Sequence, residues 1–100
     1  MIMTNYWQSK KVNFGTIRRN TSREFEFQGL LIIPEVKEIN VSCGCTKVQY
    51  NPKTRLLKVR FDAGEIPNHM EGDQPVYKII TVVYKNGTED ILVIEGTKTR

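Results

Sequence analysis

Ser42-Cys43-Gly44-Cys45-Thr46 is the segment of the chain whose residue types and spacing offer the most unusual chemistry. Two thiols separated by one glycine admit three states. A disulfide needs Cβ atoms roughly 3.5–4.5 Å apart. Side chains two apart on an extended strand share a face but stand too far from each other for that. Gly44 could fold the backbone and close the gap, at a cost in strain that leaves the bond easily reduced. A zinc site needs about four ligands. The chain offers Cys43, Cys45 and one histidine, His69, with only acids to complete a set and a spacing that fits no finger. The third state is a pair of reduced, partly buried thiols at a strand end. With no signal peptide in the sequence, a reducing compartment is the default and this third state is the expected one. Cys43 and Cys45 stand as candidate redox residues; no metal site and no cofactor are expected.

Other catalytic groupings are missing from the pattern. A nucleophilic Ser or Cys needs a nearby base. His69 sits in the longest irregular stretch, where a lone histidine is more often a solvated surface residue. Glu24, Glu26, Glu89 and Asp90 fall on strands or at a hairpin edge, where the plain role is a wetted face. All seven glycines are isolated, so no phosphate-cradling loop exists. These absences point away from an enzyme.

The elements that must position these residues follow from period-two alternation. Glu24-Phe25-Glu26-Phe27 and Leu57-Lys58-Val59-Arg60-Phe61 alternate cleanly, and the run from Lys37 to Cys43 does so after its first residues. Turn signals separate the runs: Asn13-Phe14-Gly15, Arg19-Asn20-Thr21, Asn51-Pro52-Lys53, Ile66-Pro67-Asn68 and Lys85-Asn86-Gly87. Strands are expected at Lys11–Phe14, Ser22–Phe27, Val36–Ser42, Thr46–Tyr50, Leu56–Phe61, Val76–Tyr84 and Glu89–Gly96. Asn86-Gly87 is the clearest hairpin signal, since both residues tolerate the positive φ of a two-residue primed turn. No segment pairs a helix cap with three turns of apolar periodicity. One hundred residues make one domain, here a seven-stranded immunoglobulin-like antiparallel β-sandwich spanning residues 1–100, with residues 1–10 as an N-terminal arm.

Val76–Tyr84 breaks the alternation. Tyr77, Ile79 and Val83 fall on one face and Ile80, Val82 and Tyr84 on the other, so both faces are apolar. Either a loop shields the outer face or that face is an interface. Trp7, the only tryptophan, either caps the core or belongs to an arm that docks on a neighbour, and the cap is favoured. Tyr77, Ile79, Val83, Tyr84 and Trp7 are therefore the candidate binding residues. The stretch Asp62–Pro75 is long enough for a functional loop. A net charge of +4 comes from 15 basic and 11 acidic residues. Lys53, Arg55, Lys58 and Arg60 form the densest basic group, short of the aromatic-interleaved stripe of nucleic-acid binders. The longest apolar run, Leu30–Ile33, is far short of a membrane span. A protein partner or self-association is expected, with nucleic acid disfavoured and no membrane.

The cysteine segment and its surroundings resemble an uncharacterised bacterial family of immunoglobulin-like domains related to Hydin-type and major-sperm-protein-like sandwiches. Ser42-Cys43-Gly44-Cys45-Thr46 is similar to its signature. Val12-Asn13-Phe14-Gly15-Thr16-Ile17, Phe25-Glu26-Phe27, Pro34–Ile39, Leu57–Phe61 and Ile79-Thr81-Val82 are similar to its flanking strands. Gln28-Gly29 stands where that family has asparagine. The resemblance implies an immunoglobulin-like sandwich. Together with the small size and the two-sided strand, it suggests a small structural subunit of a larger assembly, such as a tail or capsid-surface component of a phage particle, located in the cytoplasm or the virion.

Overall fold

The computed structural model describes residues 5–100 and contains seven strands in two sheets, with no helix among the described residues. They are β1 (Lys11–Arg18), β2 (Ser22–Gln28), β3 (Val36–Val41), β4 (Thr46–Asn51), β5 (Leu56–Asp62), β6 (Gln74–Tyr84) and β7 (Glu89–Thr99). One sheet runs β1-β7-β6-β3 and the other β2-β5-β4. Alternation decides which side chains meet between them. Phe25 and Phe27 of β2, Leu57, Val59 and Phe61 of β5, Ile80 and Val82 of β6, and Leu92 and Ile94 of β7 are all buried in one core. Each such side chain contributes about 1.5–3 kcal/mol by leaving water.

The sandwich is not wholly antiparallel, because β1 runs parallel to β7. The path of the N-terminal segment explains this. Trp7 forms an antiparallel bridge with Gly29, and the Gln8 amide donates to the Gln28 carbonyl at 2.9 Å, so the chain begins along the three-stranded sheet. It then crosses, and the Lys10 carbonyl accepts from the Val93 amide at 2.8 Å on the other sheet. One short segment therefore ties both sheets together.

Two bulges correct the parity of the edge strands. Asn13 pairs with Glu95 and Thr16 with Thr97, so β1 holds one residue more than β7 over that span. Gly15 takes φ +73° there, and its amide donates to Asn13 Oδ1 at 2.9 Å. Because of the extra residue, Val12, Phe14 and Ile17 all face the core; without it Ile17 would point to solvent. The sequence had marked Gly15 as the end of the strand, whereas it bends a strand that continues to Arg18. β7 lengthens to match, to Thr99. In β3 a shift between Val36 and Glu38 does the same for Ile39.

The β6–β7 hairpin falls where Asn86-Gly87 placed it, with a different turn. Gly87 alone takes positive φ, at +87°. Its amide donates to the Tyr84 carbonyl at 3.1 Å, and the Tyr84 amide donates to the Thr88 carbonyl at 2.9 Å. This is a three-residue loop of a type I turn followed by a left-handed glycine. Asn86 contributes as an acceptor, its Oδ1 receiving the Thr88 amide at 3.0 Å.

The long β5–β6 connection is anchored. Ala63 and Ile66 are buried, Lys98 Nζ donates to the Ala63 and Glu65 carbonyls at 2.8 and 3.1 Å, and the Arg100 guanidinium donates to the Met70 carbonyl.

Gly96 is fixed by packing. The Phe14 ring, stacked between Phe25 and Phe61 at centroid distances of 5.6 and 6.0 Å, lies over it. A Cβ on Gly96 would come within 2.4–2.6 Å of three ring atoms. Gly96→Ala is expected to displace Phe14 and cost about 1–3 kcal/mol. Thermal unfolding should show a lower midpoint for this variant, and an unchanged midpoint would mean that the ring is free to move.

Candidate binding face and the disulfide crossover

β6 carries the two-sided pattern into three dimensions. Val76, Ile80, Val82 and Tyr84 are buried, whereas Tyr77, Ile79 and Val83 lie on the outer face of the four-stranded sheet. β7 extends that face: Ile79 pairs with Val93 and Thr81 with Ile91. Tyr77 keeps 58% of its surface exposed and Ile91 51%, with Ile79, Val83 and Val93 half-buried around them. Sequence reasoning missed Ile91 and Val93. Their signal was present, since Ile91-Leu92-Val93-Ile94 is apolar on both faces in the same way as β6.

The rim of this face is acidic. Val83 pairs with Glu38 on one side and Glu89 on the other, and Tyr77 pairs with Glu95. Lys11 bonds Glu95 at 3.0 Å. The outer face of the other sheet is built differently, as a charge ladder. Arg60 lies between Glu24 and Lys47, and Lys58 between Glu26 and Gln49. Arg60 also bonds Asp62 at 3.2 Å. The basic group singled out in the sequence is therefore divided: Lys58 and Arg60 face glutamates across strands, and Lys53 and Arg55 lie in the β4–β5 turn.

Trp7 and Tyr84 do not belong to a binding surface. Both are buried, and they bond each other: the Trp7 indole Nε1 donates to Tyr84 Oη at 2.8 Å, and Tyr84 Oη donates to Asp90 Oδ2 at 2.7 Å. Lys10 Nζ closes the chain on Asp90 Oδ1 at 2.9 Å. Tyr6 packs edge-on against Tyr84 at 5.4 Å and Trp7 against Tyr50 at 6.2 Å. An indole and a phenol enter a core only with their polar atoms paired. Asp90, which the sequence suggested was a wetted hairpin residue, is that partner. Burial, reinforced by the Asp90 hydrogen bond, pushes the Tyr84 phenol well above its usual range. Burial also raises Tyr50, against the opposing charge of Arg55. At the other end of the molecule, hydrogen bonds from Asn20 and the charge of Arg19 hold the exposed Glu65 carboxyl below its usual range.

The expectation of free thiols is overturned, because Cys43 and Cys45 are joined by a disulfide with Cα atoms 5.2 Å apart. The extended backbone assumed for them ends earlier, at Val41. Residues 43–46 make a turn closed by the Thr46 amide on the Cys43 carbonyl at 3.1 Å, and this brings the two side chains together. The turn is the crossover from one sheet to the other. Ser42 holds its start on β6, where the Ile79 amide donates to Ser42 Oγ at 3.1 Å. Cys45 holds its end on β5, its carbonyl accepting from the Asp62 amide at 2.9 Å. His69 is exposed, and among the described residues no group of three His, Cys, Asp or Glu side chains could hold a metal ion.

Comparisons with protein-family models, with curated proteins and with solved structures find no match to this chain.

The Tyr84 phenol gives stability a pH signature. Its folded-state pKa lies above the unfolded value of about 10, so its contribution is complete below that pH and is lost as pH rises beyond it. Tyr84→Phe leaves the Trp7 donor unpaired and should cost about 1–3 kcal/mol at neutral pH. Denaturant titrations between neutral pH and about pH 11 should show the wild type losing stability faster than the variant above pH 10. Parallel curves would remove Tyr84 from the linkage.

Proposed function

We propose that the chain is a non-enzymatic, immunoglobulin-like protein-binding module, a small subunit of a larger assembly such as a tail or capsid-surface component of a phage particle. The strand order supports the immunoglobulin-like reading. The order β2-β5-β4, extended at its edge by the Trp7 bridge, and the order β7-β6-β3 are those expected of the two sheets of such a sandwich, with β1 added in parallel beside β7. The resemblance carried by Ser42–Thr46 and its flanking strands supports the same reading.

The observation that carries the binding role is the contrast between the two outer faces. One is a ladder of opposite charges, as a solvated sheet is. The other is a connected apolar surface of Tyr77, Ile79, Val83, Ile91 and Val93, rimmed by Glu38, Glu89 and Glu95. Water-exposed apolar surface is retained where a partner covers it. The partner fitting this face is a protein with an apolar patch that carries Lys or Arg where Glu38 and Glu89 flank Val83; at the other end of the face Lys11 already pairs with Glu95.

Tyr77→Asp and Ile91→Asp test this role, since both side chains are exposed and neither replacement disturbs the core. Each variant should fold with a near-normal thermal midpoint and lose most of its association with the native partner, at least tenfold in affinity. Normal association by both would leave the face as sheet surface alone.

A second reading is favoured by the closed Cys43–Cys45 pair: thiol–disulfide exchange, in which a partner dithiol gives two electrons and two protons to this disulfide and is itself oxidised. Closing a loop of three residues removes little chain entropy, so the bond contributes only about 1.6 kcal/mol to the fold. The double variant Cys43→Ser, Cys45→Ser should therefore fold, with a stability loss near that size. Equilibration of the wild type with glutathione buffers, read by thiol labelling, should reduce the bond without unfolding under this reading. A bond that yields only on unfolding would exclude it.

A further inference from the structure

The Cys43–Cys45 turn is held by bonds that do not involve sulfur. At its entry the Ser42 amide donates to the Ile79 carbonyl at 3.1 Å, and the Ile79 amide donates to Ser42 Oγ at 3.1 Å. At its exit the Asp62 amide donates to the Cys45 carbonyl at 2.9 Å. The Thr46 amide closes the turn on the Cys43 carbonyl at 3.1 Å. These contacts keep the two side chains together whether or not their sulfurs are joined, an arrangement that favours rapid reclosure of the bond.

The two sulfurs have different surroundings. Cys45 packs against the buried core, whereas Cys43, half-buried, stands outside that packing among the described residues. The space over the turn is open, since a Cβ on Gly44 would meet no atom within 4 Å. The Cys45 amide donates to Cys43 Sγ at 3.2 Å. A backbone N–H aimed at a sulfur favours its thiolate over its thiol. Cys45 Sγ instead meets the hydroxyl of the buried Thr46 at 3.8 Å.

Resting on the thiol–disulfide exchange reading above, we infer that Cys43 is the sulfur that bonds the partner dithiol and Cys45 the one that resolves the mixed disulfide. Which sulfur is attacked depends on access. Attack on Cys45 has to come through the packing around it, whereas Cys43 is reached from the open side of the turn. One partner thiolate attacks Cys43 Sγ, the Cys43–Cys45 bond breaks, and Cys45 leaves as a thiolate beside the Thr46 hydroxyl. The second partner thiolate then attacks the partner sulfur of the mixed disulfide. That closes the partner's own disulfide and releases Cys43 as the thiolate that the Cys45 amide favours. Two electrons pass to the chain, and the two protons shed by the partner's thiols end on Cys43 and Cys45. In the reverse direction the Cys43 thiolate attacks a partner disulfide and Cys45 displaces the partner. One assignment serves both directions, as microscopic reversibility requires.

Limited alkylation of the reduced, folded wild type with iodoacetamide tests the assignment, with the modified residue located by fragment mass spectrometry. Cys43 should react roughly tenfold faster than Cys45, and the preference should disappear in denaturant, where both thiols are equally exposed. Oxidised glutathione should form a mixed disulfide with the reduced Cys45→Ser variant, through Cys43, roughly tenfold faster than with Cys43→Ser. Equal rates at the two cysteines of the folded chain, or faster reaction at Cys45, would overturn the assignment and leave exchange itself standing. A wild-type disulfide that dithiothreitol opens only when the chain unfolds would overturn exchange and the assignment together.

Discussion

The hydrogen bond from the Trp7 indole to Tyr84 Oη is the contact on which the architecture rests. Tyr84 ends β6 and Asp90 begins the inward phase of β7, so the bonds Trp7–Tyr84–Asp90–Lys10 fasten the N-terminal segment to the hairpin of the four-stranded sheet. The backbone on either side of Trp7 bonds instead to the end of β2, in the three-stranded sheet. Sandwich sheets hold each other through side chains and through the few places where the chain passes between them. Here Trp7 fills one pole of the core and brings that pole's crossing with it. The opposite pole has the Cys43–Cys45 turn, fastened to β6 by Ser42 and to β5 by Cys45.

With the interior filled, chemistry is confined to the outside, and the two outer faces part by pattern alone. Strand pairing puts Glu24 and Glu26 opposite Arg60 and Lys58, a face satisfied by its own charges. The same pairing rules put Ile79 opposite Val93 and Thr81 opposite Ile91, a face that water does not satisfy. The tip of the β2–β3 connection, at Leu31 and Ile32, adds a second apolar surface at one pole. Among the described residues, the outer face of the four-stranded sheet and this tip are the two places where the most exposed large apolar side chains remain in water.

Most of the strand layout was legible because alternation is a local signal. Phe25, Phe27, Leu57, Val59 and Phe61 announce their burial by their spacing, and the assignment of Tyr77, Ile79 and Val83 to one face of β6 follows from parity. What stayed hidden depends on partners distant in sequence. Nothing local to Gly15 says that an extra residue there turns Ile17 inward, because the count is kept against β7. The parallel pairing of β1 is likewise a property of the crossing at Lys10. Asp90 reads as a solvated acid until Tyr84 is placed beside it. The cysteines follow the same rule: alternation in the sequence runs through Cys43, but the strand stops at Val41 and the turn that follows joins the two thiols. Leu31 and Ile32 read as part of a short apolar run, and only the path of that loop in three dimensions shows them facing water.

The central claim, that this domain works by being held within something larger, is met most directly by sedimenting the protein from extracts of its native source. The account expects it to travel with a large particle at fixed stoichiometry, at a size far beyond the 11.6 kDa chain. Recovery of all of it in the small soluble fraction, with no companion protein, would contradict the claim.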